Sequence, residues 1–150
     1  MKQLIFQSYP FRLRTSGAIR EMWDETRKKW IVVTPEEWVR QHLIEYLVQE
    51  KKFPRGLLSV EKGLRVNGLF KRTDVVAFGT NSKALLLAEC KSPTIKLSQG
   101  VFDQAARYNL TLRVPFLLIT NGLEIFCCKI NFEIGNYEFL KDVPDYMELR

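Results

Sequence analysis

The stretch from Lys71 to Tyr108 carries three consecutive patterns, KRTDVVAF (residues 71–78), LLLAECK (85–91) and FDQAARY (102–108). They predict a strand, a turn, a second strand and a helix. Glu89 and Lys91 end a strand that is otherwise apolar, and packing alone gives no reason for them. Side chains alternate along a strand, so these two share one face, about 7 Å apart, while Cys90 faces the other way. Charges at the end of a buried strand are costly unless they are paired or bind a metal, so this strand end is a candidate for chemistry.

The strand that carries Asp74 belongs to a predicted antiparallel meander. Residues 57–66 and 69–78 are expected to form a hairpin around Asn67-Gly68, a strong turn signal. A further short turn leads to the third strand, residues 83–91, and such short connections join antiparallel neighbours.

The first helix is predicted from Thr34 to about Gln49. Thr34 is a good N-cap, and Glu37 completes a capping box with it. Glu36 lies at the head of an apolar stripe at helical spacing, and the capping box does not explain it. Glu36 either reaches into an active site or only complements the helix dipole in the first turn, and the sequence leaves both interpretations open. The stripe consists of Val39, Leu43, Tyr46 and Leu47.

A second helix is predicted over about residues 99–112, with Ser98 as its cap. Gln104 and Tyr108 are one turn apart on it and are therefore neighbours. Considered alone, the pair is an ordinary amphipathic edge. A fully apolar strand follows at residues 116–120, and a hairpin is expected to continue to Cys128.

The 150 residues are predicted to form one domain with a β-rich N-terminal arm (1–33), a core (34–128) and a C-terminal tail (129–150). We expect the arm to add a small sheet beside the core. Its strands are expected at residues 11–14, 18–22 and 29–33.

Charge and cysteine content narrow the classes of function. The net charge of +6 is compatible with a polyanionic partner such as nucleic acid. Three cysteines provide no disulfide framework, and Cys90 is interpreted as a small buried hydrophobic residue. The single histidine, His42, excludes a histidine-rich metal site and is interpreted as a solvated helix residue. No segment is long and apolar enough to span a membrane, so a cytoplasmic protein is expected.

Asp74, Glu89 and Lys91, with Glu36 as a candidate fourth member, have the chemistry of a metal-dependent hydrolase. Carboxylate and carbonyl oxygens suit Mg²⁺ or Mn²⁺, and the backbone carbonyl of Cys90 is a candidate third ligand. A metal-bound water could attack a phosphodiester, while Lys91 orients that water and offsets charge on the phosphate oxygens. The alternative is that Asp74 and Lys91 form an ion pair that bridges adjacent strands.

The order helix, meander, helix, strand, together with Asp74-x14-Glu89-x-Lys91, resembles the PD-(D/E)xK nuclease superfamily. Gln104-x3-Tyr108 resembles the additional motif of its RecB-like branch. More narrowly, the chain from about Trp23 to Cys128 is similar to the N-terminal nuclease domain of type I restriction enzyme R subunits. The phrases that carry this similarity are TPEEWVRQ (34–41), KRTD (71–74), ECK (89–91) and DQAARYN (103–109).

This resemblance implies an α/β (α+β) fold with a restriction-endonuclease-like core, and an endonuclease that hydrolyses phosphodiester bonds of DNA. It implies Mg²⁺ as cofactor, with Mn²⁺ as a substitute. Asp74 and Glu89 would bind the metal together with Glu36 and the Cys90 carbonyl, and Lys91 would be the catalytic lysine. Gln104 and Tyr108 would orient the site or contact the DNA backbone.

Two departures from the family pattern bear on function. Thr73 stands where the superfamily name has proline. The chain has no room for a helicase motor and no Gly-x4-Gly-Lys-Ser/Thr loop, so ATP-driven translocation is not expected of it. A separately encoded restriction or helicase component is therefore an expected partner besides DNA. The alternative function is a catalytically inactive, nuclease-like module for nucleic-acid binding or assembly.

Overall fold

The computed structural model describes residues 3–66 and 68–149, and Asn67 of the predicted hairpin turn lies outside them. The described elements follow in this order: β1 (Leu13–Ser16), β2 (Ile19–Asp24), β3 (Lys29–Val32), α1 (Pro35–Gln49), a 3₁₀ turn (Arg55–Leu57), β4 (Leu58–Val60), β5 (Gly63–Val66), β6 (Leu69–Arg72), β7 (Val75–Phe78), β8 (Ala84–Cys90), α2 (Gln99–Leu112), β9 (Phe116–Thr120), β10 (Ile125–Asn131), β11 (Asn136–Phe139) and α3 (Tyr146–Leu149).

A six-stranded sheet in the order β11-β10-β9-β8-β7-β4 forms the centre of the fold. The meander β4, β7, β8 is antiparallel, which confirms the prediction. β9 lies parallel to β8 because α2 makes the crossover between them. β4 and β11 are the edge strands of this sheet.

The two long helices cover opposite faces of the sheet, which explains why β8 is apolar along most of its length. Leu86 and Ala88 belong to the core cluster that contains Val39 and Leu43 of α1. Leu87, between them, belongs to the cluster of Phe102 and other α2 residues. The start of α1 is as predicted, since the Thr34 hydroxyl accepts a hydrogen bond of 3.0 Å from the Glu37 N–H.

The predicted hairpin of two long strands is interrupted in both strands, so the prediction of continuous strands is wrong. Glu61 has a left-handed backbone conformation (φ +54°), which ends β4. Beyond it, β5 and β6 form a separate two-stranded ribbon. The Glu61 N–H donates to the Asp74 carbonyl at 2.9 Å, so the two strands stay joined at the break. Asp74 thereby lies just outside the regular part of β7.

The N-terminal arm forms the small sheet that the sequence predicts, with β1, β2 and β3 antiparallel. Met22 and Ile31 on its inner face are buried. The C-terminal tail adds β11 and α3. Tyr146 of α3 is buried against Phe53, and its hydroxyl donates to the Phe78 carbonyl at 3.0 Å.

The prediction that His42 is solvated is wrong, because the segment before β1 folds over α1. His42 is only 6% exposed and makes edge-to-face contacts with aromatic rings, with ring centroids 4.6 Å from Trp38 and 4.9 Å from Phe11. Its Nδ1 lies 2.8 Å from the Trp38 carbonyl oxygen. Burial lowers the pKa of His42.

The cysteines agree with the prediction that they form no disulfide framework. Cys90, Cys127 and Cys128 are all buried and unpaired. Burial raises the pKa of the Cys90 thiol well above its usual range, which fits its interpretation as a small hydrophobic residue.

Within residues 3–66 and 68–149, no helix combines the length and apolar character needed to cross a membrane.

Candidate active site

Asp74 lies where β7 begins, and two hydrogen bonds hold its carboxylate. Its Oδ2 accepts from the backbone N–H of Cys90 at 2.8 Å. Its Oδ1 accepts from Arg40 Nη2, also at 2.8 Å. The register of β7 and β8 pairs Val75 with Ala88, so the next residues along, Asp74 and Glu89, lie opposite each other. The carboxylate remains 21% exposed.

Glu89 and Lys91 share one face at the end of β8, as the strand alternation predicted. The Lys91 ammonium lies 3.9 Å from Glu89 Oε2. The backbone N–H of Lys91 donates to the Thr120 carbonyl at 2.9 Å, which holds this strand end against β9. Within the described residues, Asp74 pairs with Arg40 and Lys91 with Glu89, so the proposed alternative of a simple Asp74–Lys91 bridge is wrong.

Arg40 is the principal site residue that the sequence reasoning missed. Its side chain is only 4% exposed and reaches four carboxylates: Glu37 at 2.6 Å, Asp74 at 2.8 Å, Glu36 at 3.2 Å and Glu61 at 3.3 Å. Burial alone lowers the pKa of Arg40, but Glu37 and Asp74 outweigh it and raise that pKa above its usual value. Arg40 therefore stays charged and fixes the orientation of Asp74.

A signal for Arg40 existed in the sequence. Arg40 falls on the apolar stripe of α1 beside Val39 and Leu43, where a charged residue needs a buried partner. The partner could not be identified from the sequence, because Asp74 is 34 residues away.

A second arginine, Arg27, extends this charged network into the N-terminal arm. It pairs with the fully buried Asp24 of β2, with Glu37 at 2.9 Å and with Glu61 at 3.1 Å. Gln41 donates to both Asp24 and Glu37, at 3.2 and 3.1 Å. The Glu37 carboxylate, which the capping box was expected to direct back to the helix start, is instead bound in this network.

Glu36 lies at the rim of the same site, with its side chain 48% exposed. Partial burial raises its pKa, and the charge of Asp74 adds to that effect. The charges of Arg40 and Lys91 act in the opposite direction, so Glu36 lies within electrostatic reach of all three residues. Its position fits the interpretation in which it reaches the active site.

Gln104 and Tyr108 lie on the exposed side of α2, one turn apart. Tyr108 is 41% exposed, whereas its neighbours Ala105 and Asn109 are buried. The role of Gln104 and Tyr108 in orienting the site or the DNA stays a prediction.

The oxygen chemistry of the site fits a hard divalent cation. Six carboxylates surround three cationic side chains, a local excess of negative charge in a chain whose net charge is +6. Within the described part of the chain, no three acidic, histidine or cysteine side chains group closely enough to hold a metal by themselves. Mg²⁺ needs only one or two carboxylates, since it keeps several waters. The carboxylates are Asp24, Glu36, Glu37, Glu61, Asp74 and Glu89; the cations are Arg27, Arg40 and Lys91.

Comparisons with known proteins identify the family and support the fold. Residues 35–144 match the family model described as the type I restriction enzyme R protein N terminus. The fold is similar to a fragment described as an HsdR subunit of a type I restriction enzyme from Vibrio vulnificus, with a TM-score of 0.55 and 18% identity. That similarity covers 78% of this chain but 25% of the other, so this chain spans about a quarter of that fragment's length. A comparison with curated proteins finds no match. The resemblance to type I restriction enzyme R N-terminal regions and the fold class inferred from the sequence are confirmed.

Proposed function

Because this chain belongs to the family of type I restriction enzyme R protein N-terminal regions, we propose that it is a metal-dependent DNA endonuclease domain. The observation that carries the proposal is the arrangement at the ends of β7 and β8. There, Asp74 is anchored opposite Glu89, and the Lys91 ammonium lies 3.9 Å from the Glu89 carboxylate.

In the proposed site, Asp74 and Glu89 would hold Mg²⁺, or Mn²⁺ in its place, with the Cys90 carbonyl as a further ligand and Glu36 at the rim. When bound, the metal supplies a polarised water as nucleophile and a counter-charge for the phosphate. Arg40 and the Cys90 N–H keep Asp74 in one orientation, because each binds one of its oxygens.

Lys91 has a second role in this proposal. Its side chain is 38% exposed, so its ammonium reaches both the Glu89 carboxylate and solvent. From there it can hold the attacking water and stabilise the charge that develops on the phosphate oxygens. DNA is the proposed substrate, and a separately encoded restriction or helicase component is the proposed partner.

The second candidate function is a nuclease-like module that binds DNA without cutting it. One observation favours it: both oxygens of Asp74 already accept hydrogen bonds from the protein. A metal would have to use their remaining lone pairs. The two candidates differ in whether DNA cleavage depends on a metal ion.

The test is a nicking assay on covalently closed plasmid DNA, which has no ends and therefore reports endonuclease activity. We expect the wild-type protein to nick the plasmid with Mg²⁺ or Mn²⁺ and not with EDTA. Asp74→Asn and Lys91→Ala should abolish nicking. The control, Lys83→Ala, removes an exposed lysine at the opposite end of β8 and should nick like the wild type.

Two results would contradict the nuclease proposal. One is equal nicking by the wild type and by both site variants, which would indicate a contaminating activity. The other is a folded wild-type protein that binds DNA but does not nick it with either metal. That result would support the second candidate, a module that binds DNA without cutting it.

A further inference from the structure

A groove of about 410 Å³ runs along the outer edge of β4, beside the candidate active site. Arg27, Lys29, Lys62 and Arg72 line it, with Glu61 as the one carboxylate among its described lining residues. The matched family region begins at residue 35, so Arg27 and Lys29 of the arm belong to no part of that match.

Three of the four cations in the groove are available to a ligand. Lys29 and Lys62 are exposed, and in the described residues neither is within ion-pair distance of a carboxylate. Among the described residues, Arg72 donates from its Nε to the Glu61 backbone carbonyl at 3.1 Å. Arg27, by contrast, is bound to carboxylates of the active-site network, and Glu61 is itself held by Arg27 and Arg40. The groove is therefore strongly positive.

The wall of the groove formed by β4 consists mainly of backbone and Ser59. Among the described strands, β4 pairs only with β7, so its outer side is a sheet edge. The side chains of Leu58 and Val60 are buried and point away from solvent. The Leu58 N–H at this edge already donates to the Arg55 carbonyl, so the attraction for anionic oxygens comes mainly from the cationic side chains. Lysines beside such an edge discourage a second strand from pairing with it, so the groove favours an anionic backbone over a peptide.

The groove is joined directly to the segment that carries Asp74. The Glu61 N–H donates to the Asp74 carbonyl at 2.9 Å, and the Thr73 N–H donates to the Lys62 carbonyl at 3.1 Å. A DNA strand that places one phosphate at Asp74 would therefore have its neighbouring phosphates beside Lys62.

We propose that this groove binds the phosphodiester backbone of DNA next to the bond that is cut, with Lys29, Lys62 and Arg72 contacting its phosphates. The groove thus fixes the path of the strand into the active site without reading its sequence, since phosphate contacts position the nucleic acid and do not specify it. This inference rests on the proposed function.

The test measures binding of a fluorescently labelled DNA duplex by anisotropy, in EDTA, over a range of about 50 to 200 mM salt. The variant Lys29→Gln/Lys62→Gln/Arg72→Gln removes three positive charges from the groove. The control, Lys83→Gln/Lys129→Gln/Lys141→Gln, removes three exposed lysines outside it. Each lost phosphate contact lowers the slope of log K against log salt by about 0.9, so we expect a loss of about 2.7 in the groove variant.

Arg72 also holds the backbone of Glu61, so a second variant guards against a merely structural effect. Lys29→Gln/Lys62→Gln leaves Arg72 in place and should lower the slope by about 1.8. A slope loss in both groove variants that exceeds the loss in the control supports the inference. Equal slopes in the groove and control variants, or no binding by the wild type, overturn it.

Binding in EDTA needs no catalysis, so the two proposals fail separately. A wild-type protein that binds through the groove but never nicks plasmid DNA overturns the nuclease proposal alone. A protein that nicks with Mg²⁺ but whose groove variants bind like the control overturns the groove alone.

Discussion

Replacing Arg40 by methionine should lower the free energy of unfolding substantially. The substitution keeps an apolar stem but removes the guanidinium that lies 2.6 Å from Glu37 and 2.8 Å from Asp74. Removing one partner of a buried ion pair typically costs 3–5 kcal/mol, because the other charge stays buried without a partner. Arg27 still pairs with Glu37, and Glu36 is half exposed, so we expect the lower end, about 3 kcal/mol.

For a domain of this size, about 3 kcal/mol corresponds to a fall in Tm of roughly 6–12 °C. Thermal unfolding followed by circular dichroism, with urea denaturation as a second measurement, gives both quantities. The control is Lys28→Met, which breaks a solvent-exposed pair with Glu25 and should lower the Tm much less.

A double variant tests the cause of this loss. In Arg40→Met/Asp74→Asn, the carboxylate that pairs with Arg40 alone among the described residues loses its charge, so part of the lost stability should return. The reasoning is refuted if Arg40→Met unfolds at the same temperature as Lys28→Met. It is also refuted if neutralising Asp74 makes Arg40→Met less stable still.

Two further predictions concern buried groups outside the site. Burial lowers the pKa of His42 below 6.5 in the folded protein. As the pH falls, His42 therefore binds a proton more readily in the unfolded chain than in the folded one, and the free energy of unfolding should fall below about pH 6.5. NMR titration of this single histidine checks the shift, and a value at or above 6.5 would contradict it. Gly122 (φ +84°) has no room for a side chain, since a Cβ would lie 2.7 Å from Leu4 and 3.0 Å from Val39. Gly122→Ala should therefore lower the free energy of unfolding, measured by urea denaturation, more than Gly135→Ala does. At Gly135 (φ +79°) an added Cβ meets open space, so that substitution costs only the backbone strain of about 1–2 kcal/mol. Equal losses in the two variants would argue against the packing explanation.

The sequence by itself determined the order of elements and the presence of Asp74, Glu89 and Lys91 at neighbouring strand ends. These features follow from local signals: the Thr34 cap, the alternation that turns Cys90 into the core, and the spacing across the meander. Helix caps, turns and strand alternation depend on residues within a few positions of one another, so they can be derived without knowing the fold.

Only the tertiary structure decided the partners of the buried charges. Arg40 meets Asp74 and Arg27 meets Glu61, each across 34 residues, and no local pattern connects such pairs. The burial of His42 likewise depends on the N-terminal segment that folds across α1. The left-handed Glu61 divides the hairpin and thereby places the groove beside Asp74. A side chain's burial and its ionic partners are set by whatever segment packs against it, and that information exists only in the folded chain.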